Sequence, residues 1–210
     1  MGPERTSQSL WRVRVPVLQE IIQSMNLQCS VFIATSLDGF IARPNGSIDW
    51  LESLNKTVPA NEDCGYAHFM DSVDALVMGR RTFETTLTFP QWPYGEKPVL
   101  VVSRTLQRLP SHIPAQVELT QATPADIALD ASSRGWKRLY IDGGELVQSF
   151  LRSGLLTDLT ITTVPVLLGS GRRLFGELER DVSVRLKSSV SYPFGFVQSF
   201  YEVMRRHSKP

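Results

Sequence analysis

Short apolar runs separated by glycine- or proline-bearing breaks recur along this chain, and their lengths predict strands. CSVFIAT at 29–35, ALVM at 75–78, VLVV at 99–102, RLYI at 138–141 and LTITTV at 159–164 are such runs. VLVV has no polar alternation, as in a strand covered on both faces. Helical spacing fills the intervals. Tyr66 and Phe69 lie one turn apart within 61–72, where Glu62 and Asp63 suit a helix start. A second helix opens at Arg80. A third covers 124–133, with Pro124 in its first turn and Ile127, Ala128 and Ala131 on one face. A fourth spans 144–152 and stops at Gly154.

The tail changes period. Residues 182–190 and 197–206 are strand-like and flank the turn Tyr192-Pro193-Phe194-Gly195, which predicts a closing hairpin. This order of elements predicts an α/β fold with a mainly parallel central sheet, helices on both faces and an antiparallel C-terminal edge hairpin. Ahead of residue 28 the pattern differs: Trp11, Val13 and Val15 alternate with Arg12 and Arg14, then Leu18, Ile21, Ile22 and Met25 recur at helical spacing behind Pro16. Residues 1–27 are therefore expected as an extension, disordered or forming a short docking helix, ahead of a single domain at 28–207.

Charge and composition narrow the chemistry. Among 210 residues, 22 Lys and Arg face 21 Asp and Glu, a net charge of +1 that argues against a nucleic-acid surface. No apolar run approaches the roughly 18 residues of a membrane span, and the N-terminus has no secretory pattern. The expected setting is the cytoplasm, with Cys29 and Cys64 as reduced thiols. His68, His112 and His207 are scattered without a second ligand at metal-binding spacing, so no metal site is expected. There is no G-x-S-x-G for acyl transfer. Hydride transfer needs neither feature, only a cofactor and a substrate held face to face in a dry cleft.

The candidate chemistry sits at strand ends. No G-x-G-x-x-G follows a strand. Instead LVMGRRTFE places Gly79, Arg80, Arg81 and Thr82 at one strand-to-helix junction, and VLVVSR places Ser103 and Arg104 at another. In a parallel sheet these ends share one side, where the guanidinium groups can surround an anionic group. An adenosine 2′-phosphate fits best, which favours NADPH over NADH. Solvated arginines at a helix start are the plainer alternative.

Gly143 and Gly144 permit close approach of backbone to a pyrophosphate at the start of the next helix. A tight turn explains the pair equally well, and the flanking Asp142 and Glu145 oppose a bare phosphate. Asp38, Asp49 and Trp50 lie in the bent loop after the first strand, where a carboxylate can bind a polar heterocycle or relay a proton. A turn at Asp38-Gly39 and a helix cap at Asp49 account for the same residues.

LVMGRRTFE, VVSR and YIDGGELVQSFLRSGLLTDLTITTVPVLLGSGRRLF resemble, in this order, the motifs of the dihydrofolate reductase-like superfamily. With SLDGFIARPNGSIDWL they are more similar to its bacterial branch related to the reductase domain of riboflavin biosynthesis, the RibD C-terminal-like proteins. The resemblance spans 29–206 and implies the three-layer dihydrofolate reductase-like fold. It implies that Ala34 and Ile41 border a nicotinamide and that Gly79, Arg80, Arg81 and Thr82 hold phosphates. Ser103 and Arg104 would lie at the adenosine end, and Gly143, Gly144 and Glu145 beside the pyrophosphate. Asp38 matches the branch's S-L-D-G segment and Trp50 its tryptophan after the loop. Asp49 precedes Trp50, a departure from dihydrofolate reductases, in which the acidic residue follows on the next helix.

Leu167, Leu168 and Gly169 match a segment bordering the substrate side and a dimer contact. The implied activity is NADPH-dependent reduction of a small heterocyclic substrate, pterin- or pyrimidine-like, by a homodimer, with Asp49, Asp38 and Trp50 as catalytic candidates. The alternative is a nucleotide-binding or regulatory module that keeps the pocket without turnover.

Overall fold

From the N-terminal side the elements are β1 (Gln28–Ser36), β2 (Phe40–Ala42), α1 (Asp49–Asn55), α2 (Tyr66–Ser72), β3 (Ala75–Gly79) and α3 (Arg80–Thr86). There follow β4 (Val99–Val102), β5 (Val117–Thr120), α4 (Pro124–Ser133), β6 (Arg138–Asp142) and α5 (Gly144–Arg152). The chain closes with β7 (Asp158–Val164), β8 (Arg172–Arg173), β9 (Val184–Ser191) and β10 (Val197–Val203). This computed structural model describes residues 26–204. Residues 1–25 of the expected extension, disordered or a short docking helix, and residues 205–207 of the expected domain fall outside that span.

Among the described residues one eight-stranded sheet has the order β5-β4-β3-β6-β1-β7-β10-β9, and β2 and β8 form a separate pair. Neighbouring strands from β5 through β7 are parallel. β10 is antiparallel to both β7 and β9. The expected α/β layers, parallel sheet and edge hairpin are therefore present. The period of two along the strands splits the core. Ala75, Val77, Leu139 and Ile141 face α4 and α5, where they meet Ile127, Ala128, Val147 and Phe150. Leu76, Met78, Val99, Val101 and Tyr140 face α2 and α3, packing against Phe69 and Phe83. Fully burying such a side chain contributes about 1.5–3 kcal/mol, which commits each strand to one register.

Local chemistry sets the helix limits. Thr123 accepts the Asp126 N–H while Asp126 accepts the Thr123 N–H, a reciprocal cap that starts α4 ahead of Pro124. α2 starts later than its apolar pattern predicts, at Tyr66 rather than 61. The cause is Cys64 and Gly65, both with positive φ (53° and 79°), a break that the Asp63 carboxylate fixes by accepting the N–H groups of Gly65 and Ala67. α1 includes Asp49, with Ile48 in the capping position, so the side chain expected as a cap is already helical.

Candidate functional site

Because β1 and β3 to β7 run in parallel, their carboxyl ends share one rim, and three side-chain contacts tie its junctions together. Arg80, first in α3, donates from Nη1 to Thr105 Oγ1 beyond β4 at 3.1 Å. Arg81 Nη1 meets Glu145 Oε1 of α5 at 2.5 Å. Thr82 Oγ1 occupies the space that a Cβ on Gly143 would need. Three consecutive residues of α3 thus reach the turn after β4, the start of α5 and the turn after β6.

The rim is also conformationally specific. Gly143 has φ 93°, in the left-handed region that side chains disfavour. Gly144 is buried, and a Cβ there would lie 2.8 Å from the Arg173 carbonyl oxygen and 3.0 Å from Ile41 Cδ1. Ser103 is 6% exposed and its Oγ accepts the N–H groups of Thr105 (3.2 Å) and Leu106 (2.9 Å), which shapes the turn after β4. Arg104 is exposed and joins no ion pair among the described residues.

β1 lies inside the sheet, yet Phe32, Ile33 and Ala34 are only half-buried. An interior strand that no helix among the described residues fully covers leaves surface for a ligand at its carboxyl end. Ala34 packs with the cluster of Trp50, Val164 and Phe196. Trp50 is 4% exposed, and its Nε1–H has no hydrogen-bond partner among the described residues.

Asp38 is a clamp by geometry. Its carboxylate accepts the Ser36 hydroxyl at 2.6 Å, the Leu168 N–H at 3.1 Å and the Gly169 N–H at 2.7 Å. Its carbonyl accepts Arg173 Nη1 at 3.2 Å. These bonds join the loop after β1 to the loop after β7, and the Ser36 bond above all holds the carboxyl down at about 2. Asp49 accepts Arg43 Nε and Ser47 Oγ, each at 2.7 Å, and those bonds hold it at about 2 as well. Leu167 is 69% exposed beside this clamp.

Asp142, which the sequence pattern presents only as an obstacle to phosphate, lies at the same rim. It ends β6 two positions after Tyr140, on the α2–α3 face. Burial pushes its carboxyl up to about 6, opposed by the Gly143 N–H. Tyr66 and Tyr94 lie near enough to feel its charge, although burial is the larger reason that their phenols are raised, that of Tyr66 to about 12. Tyr140 donates its hydroxyl to the Phe32 carbonyl at 2.8 Å. The available signal was an acidic residue closing an apolar strand on an inward-facing position.

The family model of the RibD C-terminal domain matches residues 29–197, and the chain belongs to that family. The uncharacterized protein YwjB of Bacillus subtilis (strain 168) is 33% identical over 170 residues, covering 80% of this chain and 94% of that protein. The crystal structure of a Shewanella sp. PV-4 protein named for riboflavin biosynthesis superposes with a TM-score of 0.79. It is 42% identical and covers 85% of this chain and 100% of that one. Dihydrofolate reductase from Enterococcus faecalis, complexed with NADP(H) and RAB-propyl, shares the fold at a TM-score of 0.57 and 15% identity, over 85% of this chain and 97% of that one. The fold is thus the dihydrofolate reductase-like one.

Proposed function

We propose that this protein is an NADPH-dependent reductase that delivers hydride to a small heterocyclic substrate, pterin- or pyrimidine-like. The observation that carries this reading is the joining of three strand ends by Arg80, Arg81 and Thr82. Each junction supplies a different means of holding phosphate. Arg80 and Arg104 offer guanidinium forks to a 2′-phosphate. Gly143 and Gly144 let Thr82, Ile41 and the Arg173 carbonyl pack directly on backbone at the N-terminus of the nine-residue helix α5, whose first N–H groups are the means of holding phosphate there. A pyrophosphate would take those N–H groups at the rim, with the Glu145 carboxylate engaged by Arg81. The bound cofactor supplies the hydride; the chain supplies its orientation.

On this reading Ala34 and Ile41 border the nicotinamide. Asp38 positions its loop through backbone N–H groups, and Asp49 fixes the loop's far end through Arg43. Asp142 is the ionisable group suited to a heterocycle, because a carboxyl near 6 both donates and accepts close to neutral pH. The reading includes a cytoplasmic homodimer that binds neither nucleic acid nor a membrane surface. The net charge of +1 supports the exclusion of nucleic acid. No helix among the described residues is long and apolar enough to cross a membrane.

The test is a titration with NADPH followed by a panel of oxidised pterins and pyrimidines, monitored by the absorbance of the reduced nicotinamide. Binding with substrate-dependent loss of absorbance is the expected result. Binding without loss across the panel favours the regulatory module, and no binding removes both readings.

A further inference from the structure

We infer that Arg138 is a positioning residue for the ligand side of the sheet: from the amino end of β6 it sets the register of α2 and so places Tyr66 beside Asp142. Side chains alternate along a strand, so Arg138, Tyr140 and Asp142 share the β6 face on which α2 packs. α2 runs along them in the opposite sense. Arg138 Nη1 donates to Ser72 Oγ at 2.8 Å, the Tyr140 and Phe69 rings meet edge to face at 5.0 Å, and Tyr66 lies near enough to Asp142 to feel its charge. Three residues of the helix thus match three of the strand.

Arg138 is held more firmly than the helix it holds. Its Nε donates to Ser30 Oγ at 2.9 Å and its Nη2 pairs with Asp158 Oδ1 at 3.1 Å, while Asp158 Oδ2 accepts the hydroxyls of Ser30 and Thr157, each at 2.8 Å. The Asp74 carboxylate accepts the N–H groups of Lys137 and Arg138. With side chains 23% and 10% exposed, Arg138 and Asp158 form the least exposed ion pair among the described residues, so either partner left alone would be costly. α2 has no comparable support. It has seven residues, too few to persist alone, and among the described residues it buries only Phe69. The Arg138 guanidinium covers that ring as well, its carbon 5.2 Å from the centroid.

From Phe69 the contact passes to the site. Phe69 packs on Phe32 with ring centroids 5.0 Å apart, and Phe32 meets Tyr66 edge-on at 5.6 Å. Tyr140 closes the circuit by donating its hydroxyl to the Phe32 carbonyl. A planar guanidinium can bond Ser30, Ser72 and Asp158 at once while lying on a ring, which a lysine ammonium cannot do. Slippage of α2 at Ser72 therefore opens the aromatic wall about 13 Å away, where Asp142 ends the strand. The consequence for substrate rests on the reductase reading above, which takes Asp142 as the group that meets the heterocycle.

The experiment follows the Asp142 carboxyl by carbon-13 NMR of the full chain from about pH 4 to 8, beside steady-state kinetics with NADPH and the heterocycle panel. Asp142→Asn identifies the resonance. Ser72→Ala cuts one bond without stranding a charge, and Arg138→Lys keeps the charge, so each should admit water to the carboxyl and lower its midpoint from about 6 by about half a unit or more. Each should also raise the KM of the heterocycle about threefold or more and leave that of NADPH unchanged, since α3 and α5 build the cofactor rim. Ile127→Val, on the opposite face under α4, should lower stability and move neither quantity. A midpoint within about 0.2 units of wild type in Ser72→Ala, a midpoint that Ile127→Val lowers as far, or equal rises in the two KM values overturns the inference. If Arg138→Lys does not fold, Ser72→Ala decides. The midpoint needs no turnover, so a protein that oxidises no NADPH defeats the reductase reading, while the register of α2 is still decided by the midpoint alone.

Discussion

Gly143 faces Thr82 so closely that a Cβ on the glycine would fall on the threonine's Oγ1. Two strand-to-helix junctions, after β3 and after β6, therefore share one surface, and their order along the sheet explains it: β3 and β6 are neighbours, with Met78 opposite Asp142. The phosphate-binding character inferred for each junction alone becomes that of a single rim.

Gly143→Ala should damage stability and cofactor binding together. Its φ of 93° costs a side chain about 1–3 kcal/mol, and the collision with Thr82 distorts the rim. Gly154→Ala is the control, since φ there is 71° but nothing lies within 4 Å. Urea unfolding should show a loss for both variants, and an NADPH titration should show a loss only for Gly143→Ala.

Asp142→Asn should stabilise the protein above pH 6 while lowering turnover. The carboxyl rises from 3.8 to about 6 on folding, so the native state holds more protons between those values and stability falls as pH increases through them. Removing the charge should recover roughly 2–3 kcal/mol at pH 7.5 and nothing near pH 3.5. Denaturant titrations at the two pH values check the sign. The pH profile of kcat should also lose its inflection near 6.

Asp38→Asn keeps one acceptor oxygen but not a charge shared by two N–H groups. The folded carboxyl lies at about 2, below its usual 3.8, so the clamp is complete above about pH 4 and is lost as pH falls through about 2. Turnover of the wild type should accordingly show no Asp38 step between pH 5 and 9. The variant should lose activity evenly across that window, with faster proteolysis of the loops around Asp38 and Gly169, and an activity loss confined to one end of the window would count against the clamp.

The strands buried on both faces were the plainest in the sequence, while the largely exposed β9 and β10 were legible through the turn at Tyr192–Gly195 that joins them. Val99 and Val101 at 0% exposure leave no polar period to confuse the reading. β5 was not foreseen, because Val117-Glu118-Leu119-Thr120 is four residues long and only Val117 is buried. β2 and β8 escaped for a similar reason, since their pairing joins distant residues, Phe40 with Arg173 and Ala42 with Arg172. At the candidate site, the placing of the glycine pair and the arginines at strand ends was visible because it depends on local sequence. The surroundings of Asp38 and Asp142 were not, because one depends on N–H groups of Leu168 and Gly169 about 130 residues away, and the other on burial near tyrosines from several elements.

Calorimetric titration of NADPH and NADH into the wild type, Arg80→Ala and Arg104→Ala reaches the central claim most directly. A guanidinium bonded to the 2′-phosphate should contribute about 1–3 kcal/mol, so each variant should lose some five- to hundred-fold in NADPH affinity and little for NADH. Equal losses for the two dinucleotides, or no binding of NADPH to the wild type in calorimetry and in an independent equilibrium assay, would contradict the account.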